Sequence, residues 1–176
     1  VFMDYSKQFG KVGLQVGLRY ERVGFNYYER DVLVHAQSKR YADWFPSLTL
    51  SFPVHAVQMQ LSYSSDINRP SFQKLRSGVQ FDNRFTYESG NPLLLPAISR
   101  NLSYALSWKW ISLSAMFARV SNQTCYIMQN YKGDPTTTLL RPENMPTYNK
   151  VQASLSLSPS WGVWHPSLET MFYKQW

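Results

Sequence analysis

Apolar and polar residues alternate along much of this chain. In "VQMQLSY", Val57 to Tyr63, every second residue is apolar and the residues between them are polar. Successive side chains of a β-strand point to opposite sides, so this period of two predicts a strand whose faces meet different surroundings. The pattern recurs at 12–21, 47–52, 102–109 and 151–157, and more weakly at 111–120, at 164–172 and before Gly10. The sequence therefore predicts about eight strands, and no segment has the period of an amphipathic helix.

The connections between these predicted strands are alternately short and long. Tight turns are predicted at 9–11, 53–56, 110–111 and 158–162, and long connections at 28–43, 69–100 and 129–147. Outer-membrane barrels have short periplasmic turns and long extracellular loops, whereas a soluble sandwich has no reason to keep its long loops at one end. We therefore predict an all-β fold, an antiparallel transmembrane β-barrel segment with short periplasmic turns and long extracellular loops.

A membrane barrel also accounts for the two faces of the strands. The polar faces consist mainly of Ser, Gln, Gly, Thr and Ala, which fits a lumen that holds water or a plug. A backbone in hydrocarbon must satisfy its hydrogen bonds internally, and closure of the sheet achieves this for strands. Aromatic residues near the strand ends, such as Trp44, Phe45 and Trp110, suit the two bilayer interfaces. The residues predicted to face lipid are Val57, Met59, Leu61, Tyr63, Leu102, Tyr104, Leu106 and Trp108.

The composition narrows the class of protein and of partner. Aromatic residues make up 16% of the chain, as much as the charged residues, and no apolar run approaches the roughly 18 residues of a membrane helix. The net charge of +7 indicates an anionic neighbour, either nucleic acid or a phosphate-rich membrane surface. The basic residues fall in loops rather than on one strand face, so we expect no nucleic-acid partner. Those expected on the outer side, as a solvated rim or as partners of lipopolysaccharide phosphates, are Arg22, Arg30, Lys39, Arg40, Arg69, Lys74, Arg76 and Arg84.

The alternation of connections also predicts the position of the chain ends. If the turn at 9–11 is periplasmic, the first strand begins outside and the last strand returns outward. Complete barrels of this class keep their termini in the periplasm. We therefore expect residues 1–176 to be an internal part of one larger outer-membrane barrel domain.

Several motifs, taken in order, resemble a known family. They are "LRYE" (18–21), "FPSLTLSF" (45–52), "LSYSSDINRPSF" (61–72), "YESGNPLLLP" (87–96) and "RPEN" (141–144). In this order and spacing they resemble the outer-membrane β-barrel family of TonB-dependent receptors of the Bacteroidota type. The resemblance covers most of the chain.

The resemblance implies a function in transport. Such receptors have roughly 22 strands and a plugged lumen, and they import a solute with energy from the inner-membrane TonB complex. Neither a plug domain nor a TonB box occurs in these residues. The expected partners are outer-membrane lipids including lipopolysaccharide, a small or oligomeric solute, and the TonB complex through other parts of the full-length protein.

The motifs at 61–72 and 87–96 contain the candidate site residues of the longest loop. Pro70 and Pro92 restrict the residues before them to extended geometry, and Gly90 permits a positive φ. We interpret these positions as loop architecture, with direct ligand contact as the alternative. The candidates are Arg69, Pro70, Asp82, Arg84, Glu88, Gly90, Asn91 and Pro92.

Other reactive residues do not form a recognisable site. Asp82, Arg84 and Glu88 lack the dense spacing of a calcium loop. His35, His55 and His165 are far apart, which argues against a zinc site or a Ser-His-Asp group. Cys125 has no basic neighbour in sequence to activate it and is interpreted as a small packed residue. We therefore expect no metal, no cofactor and no catalytic residue.

Two other classes of protein remain open from the residues alone. One is a small self-contained outer-membrane barrel that acts as an anchor, an adhesin or an enzyme. The other is a soluble carbohydrate-binding β-sandwich.

Overall fold

The protein is built from β-strands. The computed structural model describes residues 1–29, 31–35 and 38–176, and Arg30 lies outside the described residues. No helix in these ranges is long and apolar enough to cross a membrane. The strands are β1 (Phe2–Phe9), β2 (Val12–Phe25), β3 (Tyr28–Glu29), β4 (Val32–Leu33), β5 (Lys39–Val54), β6 (Val57–Asn68), β7 (Val79–Asn83), β8 (Thr86–Ser89), β9 (Ala97–Trp108), β10 (Ile111–Ser121), β11 (Thr124–Tyr131), β12 (Asp134–Asn144), β13 (Tyr148–Leu157) and β14 (Leu168–Gln175).

One large sheet contains the strands that the alternation predicted. Its eight strands lie in the order β1-β2-β5-β6-β9-β10-β13-β14, and each pairs antiparallel with the next. This confirms the predicted antiparallel all-β architecture. Strands β1 and β14 each pair with one neighbour only, so the sheet is open in the described chain.

Short turns join the strands at one end of the sheet. Gly10, His55 and Lys109 have φ of 60°, 55° and 50°, the left-handed values that two-residue hairpin turns require. The predicted turn at 158–162 is wrong, because β13 ends at Leu157 and β14 begins at Leu168 rather than at Trp164. Pro159 and Pro166 have no N–H group to donate to a strand partner, and 158–167 becomes a longer connection with one bridge, between Trp161 and Trp164.

The register places polar residues together on one face of the large sheet. Gln58 pairs with Ser107, and Gln60 with Ala105. The Ser114 and Ser154 hydroxyls are 2.7 Å apart across β10 and β13. Directly paired residues of an antiparallel sheet share a face, so the polar rows of single strands merge into a continuous polar face.

The opposite face of the large sheet is mainly apolar. Leu61 pairs with Leu50 on one side and with Tyr104 on the other, and Leu113 pairs with Leu106 and Leu155. Leu61 is 39% exposed and Leu113 is 36% exposed, so no other layer among the described residues covers them. Phe45 does not belong to this face: it pairs with Arg19, is 4% exposed and lies under the Arg19 guanidinium.

A second sheet lies in the two longest connections, where no strand was predicted. Its order is β11-β12-β8-β7, which we call the loop sheet. Strands β8 and β12 pair in parallel through Thr86–Glu88 and Thr138–Leu140, which corrects the expectation that all pairs are antiparallel. A 3₁₀ helix, Phe72–Leu75, precedes β7. The loop sheet therefore joins segments that lie about fifty residues apart in the chain.

Candidate functional site at the loop end of the sheet

The loop end of the large sheet brings most of the family-like motifs together. Asn91, of "YESGNPLLLP", donates from its side-chain Nδ2 to the Pro142 carbonyl of "RPEN" at 3.1 Å. Its Oδ1 accepts the Leu93 N–H at 3.0 Å. Asn91 is 8% exposed, and buried amides need partners of this kind. The motif residue thus acts as a bridge between two loops.

Asn144 forms the reciprocal bridge from "RPEN". Its Oδ1 accepts the Leu95 N–H at 2.8 Å, and its Nδ2 donates to the carbonyls of Leu95 at 3.0 Å and Asn122 at 2.8 Å. One side chain therefore replaces several backbone partners that an irregular loop lacks.

Gly90 is required for a reason that differs from the one predicted. It is not among the residues with positive φ. A Cβ at this position would overlap the Arg76 carbonyl oxygen and lie 2.8 Å from the Arg76 nitrogen. Glycine is needed because two backbones approach closely, which a sequence pattern alone does not reveal.

The other candidates of this loop fall into two groups. Glu88 lies 3.7 Å from Arg76 in an ion pair, so it ties β8 to the segment before β7. Asp82 and Arg84 lie exposed at the β7–β8 turn, where Asp82 accepts a hydrogen bond from Asn83 and Arg84 lies over the Phe85 ring. The structure does not bring Asp82, Arg84 and Glu88 into one ligand set, and the described residues contain no cluster of three or more metal-binding side chains.

Arg69 connects another pair of motifs. Its Nη1 lies 2.7 Å from Glu21 of "LRYE", and Glu21 also accepts from Arg19 at 2.9 Å. The Arg69 Nε and Nη2 atoms and the Tyr41 hydroxyl are buried without a hydrogen-bond partner in the described part of the chain. Pro70 follows Arg69 in the chain and lines a cavity beside it. This charged group lies on the polar face, where Arg19 and Glu21 continue the row of Gln15 and Gly17.

Two adjoining cavities open on the polar face below the loop sheet. The larger, about 480 Å³, lies against β6, β9, β10 and β13 and is lined by side chains such as Asn101 and Lys150. The smaller, about 250 Å³, lies against Arg69 and Lys74. Asn68, Ala97 and Gln123 line both cavities. Amide, hydroxyl and cationic groups therefore surround one space at the mouth of the sheet, where a polar solute can bind.

The remaining reactive residues do not assemble into a site. The His165 Nδ1 lies 3.0 Å from the Ser160 hydroxyl in the 158–167 connection, but none of the ion pairs among the described residues joins His165 to a carboxylate that would complete a triad. Cys125 is a partly exposed free thiol on β11, so its interpretation as a packed residue stays a prediction.

Arg100 and Arg119 were not among the basic residues identified from sequence. They occupy apolar-phase positions of β9 and β10, and they pair directly with each other. The sequence did contain evidence for this pair. Each arginine occupies a position, at the loop end of an alternating strand, where the period of two predicts an apolar residue.

Comparisons with known proteins agree with this architecture. The chain adopts a fold similar to part of the siderophore receptor PirA from Pseudomonas aeruginosa, with a TM-score of 0.73 and 13% identity over 98% of this chain. It is similar to the Serratia marcescens hemophore receptor HasR, with a TM-score of 0.70, 13% identity and 98% coverage. The copper transporter OprC gives a TM-score of 0.62 with 13% identity over 94% of the chain.

The share of these proteins that is matched is small. The chain spans 33% of the PirA and HasR chains and 27% of OprC. No curated protein matches the sequence. Residues 1–174, however, match the outer membrane protein beta-barrel family. This chain belongs to that family and is a protein of the outer membrane.

Proposed function

We propose that the chain forms part of the barrel wall of a TonB-dependent receptor that takes up a solute across the outer membrane. The observation that carries the proposal is the sheet itself: eight strands in chain order, with three tight turns and the connection 158–167 at one end and structured loops at the other. Similar wall segments occur in proteins named as siderophore and hemophore receptors. The Bacteroidota type and the coupling to TonB are part of the proposal.

The two faces of the sheet support a lumen and a lipid side. In this proposal the polar face and its two cavities face the lumen, and the apolar face, with Val57, Met59 and Leu61, meets lipid. These two faces are those expected of a barrel wall that separates a polar lumen from the hydrocarbon of the membrane. Outer-membrane membership excludes the soluble sandwich, and the single pairing of β1 and of β14 in the described chain favours part of a larger wall over a small closed barrel.

Transport is tested with the full-length protein. Cells with and without its gene are incubated in a defined solute mixture, and depletion of each solute is measured by mass spectrometry in TonB-positive and TonB-negative backgrounds. We expect at least one solute to disappear only when both the gene and TonB are present. Depletion that is the same in all four strains would overturn the proposal.

Orientation is tested with epitope tags in two turns. The β11–β12 turn at Gly133 is exposed, and a tag there should bind antibody on intact cells. A tag in the β5–β6 turn at Ala56 should bind only after the outer membrane is permeabilised. The reverse result would invert the proposed orientation. Ser77 is exposed, and a tag there should also bind antibody on intact cells, whereas Ser89 is 7% exposed and is unsuitable for a tag.

A further inference from the structure

We infer that Arg100 and Arg119 form a binding site for a phosphate group of an outer-leaflet glycolipid. The inference rests on the proposed orientation, in which the apolar face meets lipid. The two arginines are exposed and directly opposite each other on β9 and β10. Directly opposed residues of an antiparallel pair have Cβ atoms about 4.5–5.5 Å apart, and like charges there repel.

No carboxylate among the described residues pairs with these two arginines. Their other cross-strand neighbours are neutral: Ser65 lies beside Arg100 and Asn149 lies beside Arg119. Two adjacent guanidinium groups that lack an acid present several N–H donors to a single anion.

The distribution of charge over the large sheet points in the same direction. By register, the carboxylates of its strands lie on the polar face, at Asp4, Glu21, Asp43, Asp66 and Glu169. The charged residues of the apolar face are all basic: Lys7, Arg22, Arg40, Arg100, Arg119 and Lys174. Because this face carries basic side chains and no acidic ones, we expect the molecules that surround it to provide the anionic groups.

The distance of the arginine pair from the turn end of the sheet indicates which anionic groups surround it. Eight residues separate Arg100 from Trp108, at the turn end of β9, and eight separate Arg119 from Ile111 on β10. At about 3.3 Å per residue and a tilt of about 40°, this spans about 20 Å, close to the roughly 25 Å apolar band of such barrels. Leu102 and Phe117 form the next pair on the same face, two residues closer to the turn end than the arginines. The pair therefore lies at the outer border of the hydrocarbon, where the phosphates of an anionic glycolipid are found.

The test measures which lipid stays bound to the full-length receptor. The purified protein is incubated with bisphosphorylated lipid A, with enzymatically dephosphorylated lipid A, or with inorganic phosphate, and retention is measured by native mass spectrometry. We expect the phosphorylated lipid to be retained at least about tenfold more than the dephosphorylated lipid, and inorganic phosphate not to be retained. The double variant Arg100→Gln/Arg119→Gln should lose that preference. Arg84→Gln, which changes an exposed loop arginine, should keep it.

Two outcomes would overturn the inference. One is equal retention of both lipids by the unaltered protein, and the other is an unchanged preference in the double variant. Retention of inorganic phosphate in place of the lipid would show an anion site unrelated to glycolipid and would also overturn it. Quenching by brominated lipid of a fluorophore at Leu102 separates this result from the orientation: if quenching occurs without lipid A preference, the apolar face meets lipid and only the phosphate site is wrong.

Discussion

The large sheet and the loop sheet are held together by different kinds of contact. In the large sheet, each strand pairs with neighbours in chain order, and three of its seven neighbouring pairs are joined by two-residue turns. In the loop sheet, β8 meets β12 from another loop, and buried amides such as Asn91 join the two. Local hairpins need only alternation and a turn, whereas the loop sheet needs particular side chains. We therefore expect the large sheet to tolerate exchange within each face, except at close-packed positions such as Gly17, more readily than the loop sheet.

The largest expected effect tests the two faces of the wall. Leu61→Arg in the full-length protein should lower stability by about 2–4 kcal/mol, because Leu61 lies near the middle of the apolar band, whereas Ser62→Arg should cost far less because the lumen hydrates a charge. Chemical unfolding in lipid vesicles measures both.

A matching probe measurement distinguishes lipid from a protein core as the partner of Leu61. A fluorophore at position 61 should be quenched by brominated lipid, and one at position 62 should not be. Equal cost of the two substitutions, or quenching at 62 alone, would contradict the assignment of the apolar face to lipid.

The sequence predicted the large sheet well because alternation of apolar and polar residues is a property of each strand by itself. Alternation located all eight strands of the large sheet, and loop parity separated three short turns from the long loops, whereas the fourth predicted turn, 158–162, lies within the ten-residue connection 158–167. The missed start of β14 has a local cause, since Pro166 interrupts the pattern that begins at Trp164. Phe45 was assigned to an interface from its type, although its phase in β5 places it on the polar face with Arg19.

The sequence did not predict the loop sheet because its pairing is not local. The segment 79–88 does alternate apart from Asn83, so the short β7–β8 hairpin had a local signal that was missed, but its partner β12 lies some fifty residues later. The roles of Asn91 and Asn144 depend on that pairing, so the motifs were recognisable as family-like without their partners being known. The pairing of Arg100 with Arg119, by contrast, follows directly from the register of a predicted hairpin.

The next largest effect tests the close packing of the loop sheet. Gly90→Ala places a Cβ against the Arg76 backbone, and overpacking of this kind costs typically about 1–3 kcal/mol. Hydrogen exchange in the full-length protein should show faster exchange in 72–95 and 124–144, with the wall unchanged. Gly78→Ala is the matched control, because a Cβ there meets no atom within 4 Å. Equal exchange in the two variants would show that Gly90 does not hold the loop sheet together.

The smallest expected effect concerns pH at the exposed tip of the β11–β12 hairpin. The Thr136 N–H and hydroxyl and the Thr137 hydroxyl donate to Asp134 at 2.7–3.0 Å, and the Thr136 backbone bond is the main cause that holds the pKa of Asp134 below its ordinary 3.8. A carboxyl whose pKa is lower in the folded state stabilises that state above pH 3.8, and the contribution disappears as the pH falls through the folded pKa. We therefore expect order at the tip to be constant from neutral pH to about pH 4 and to decrease below it. Hydrogen exchange of the Thr136 amide measures this directly, and Asp134→Asn should remove the pH dependence while it leaves Asn91 and the β8–β12 pairing intact. A transition of the same size in the Asn variant would assign it to another carboxyl and would show that order at the tip does not depend on the Asp134 side chain.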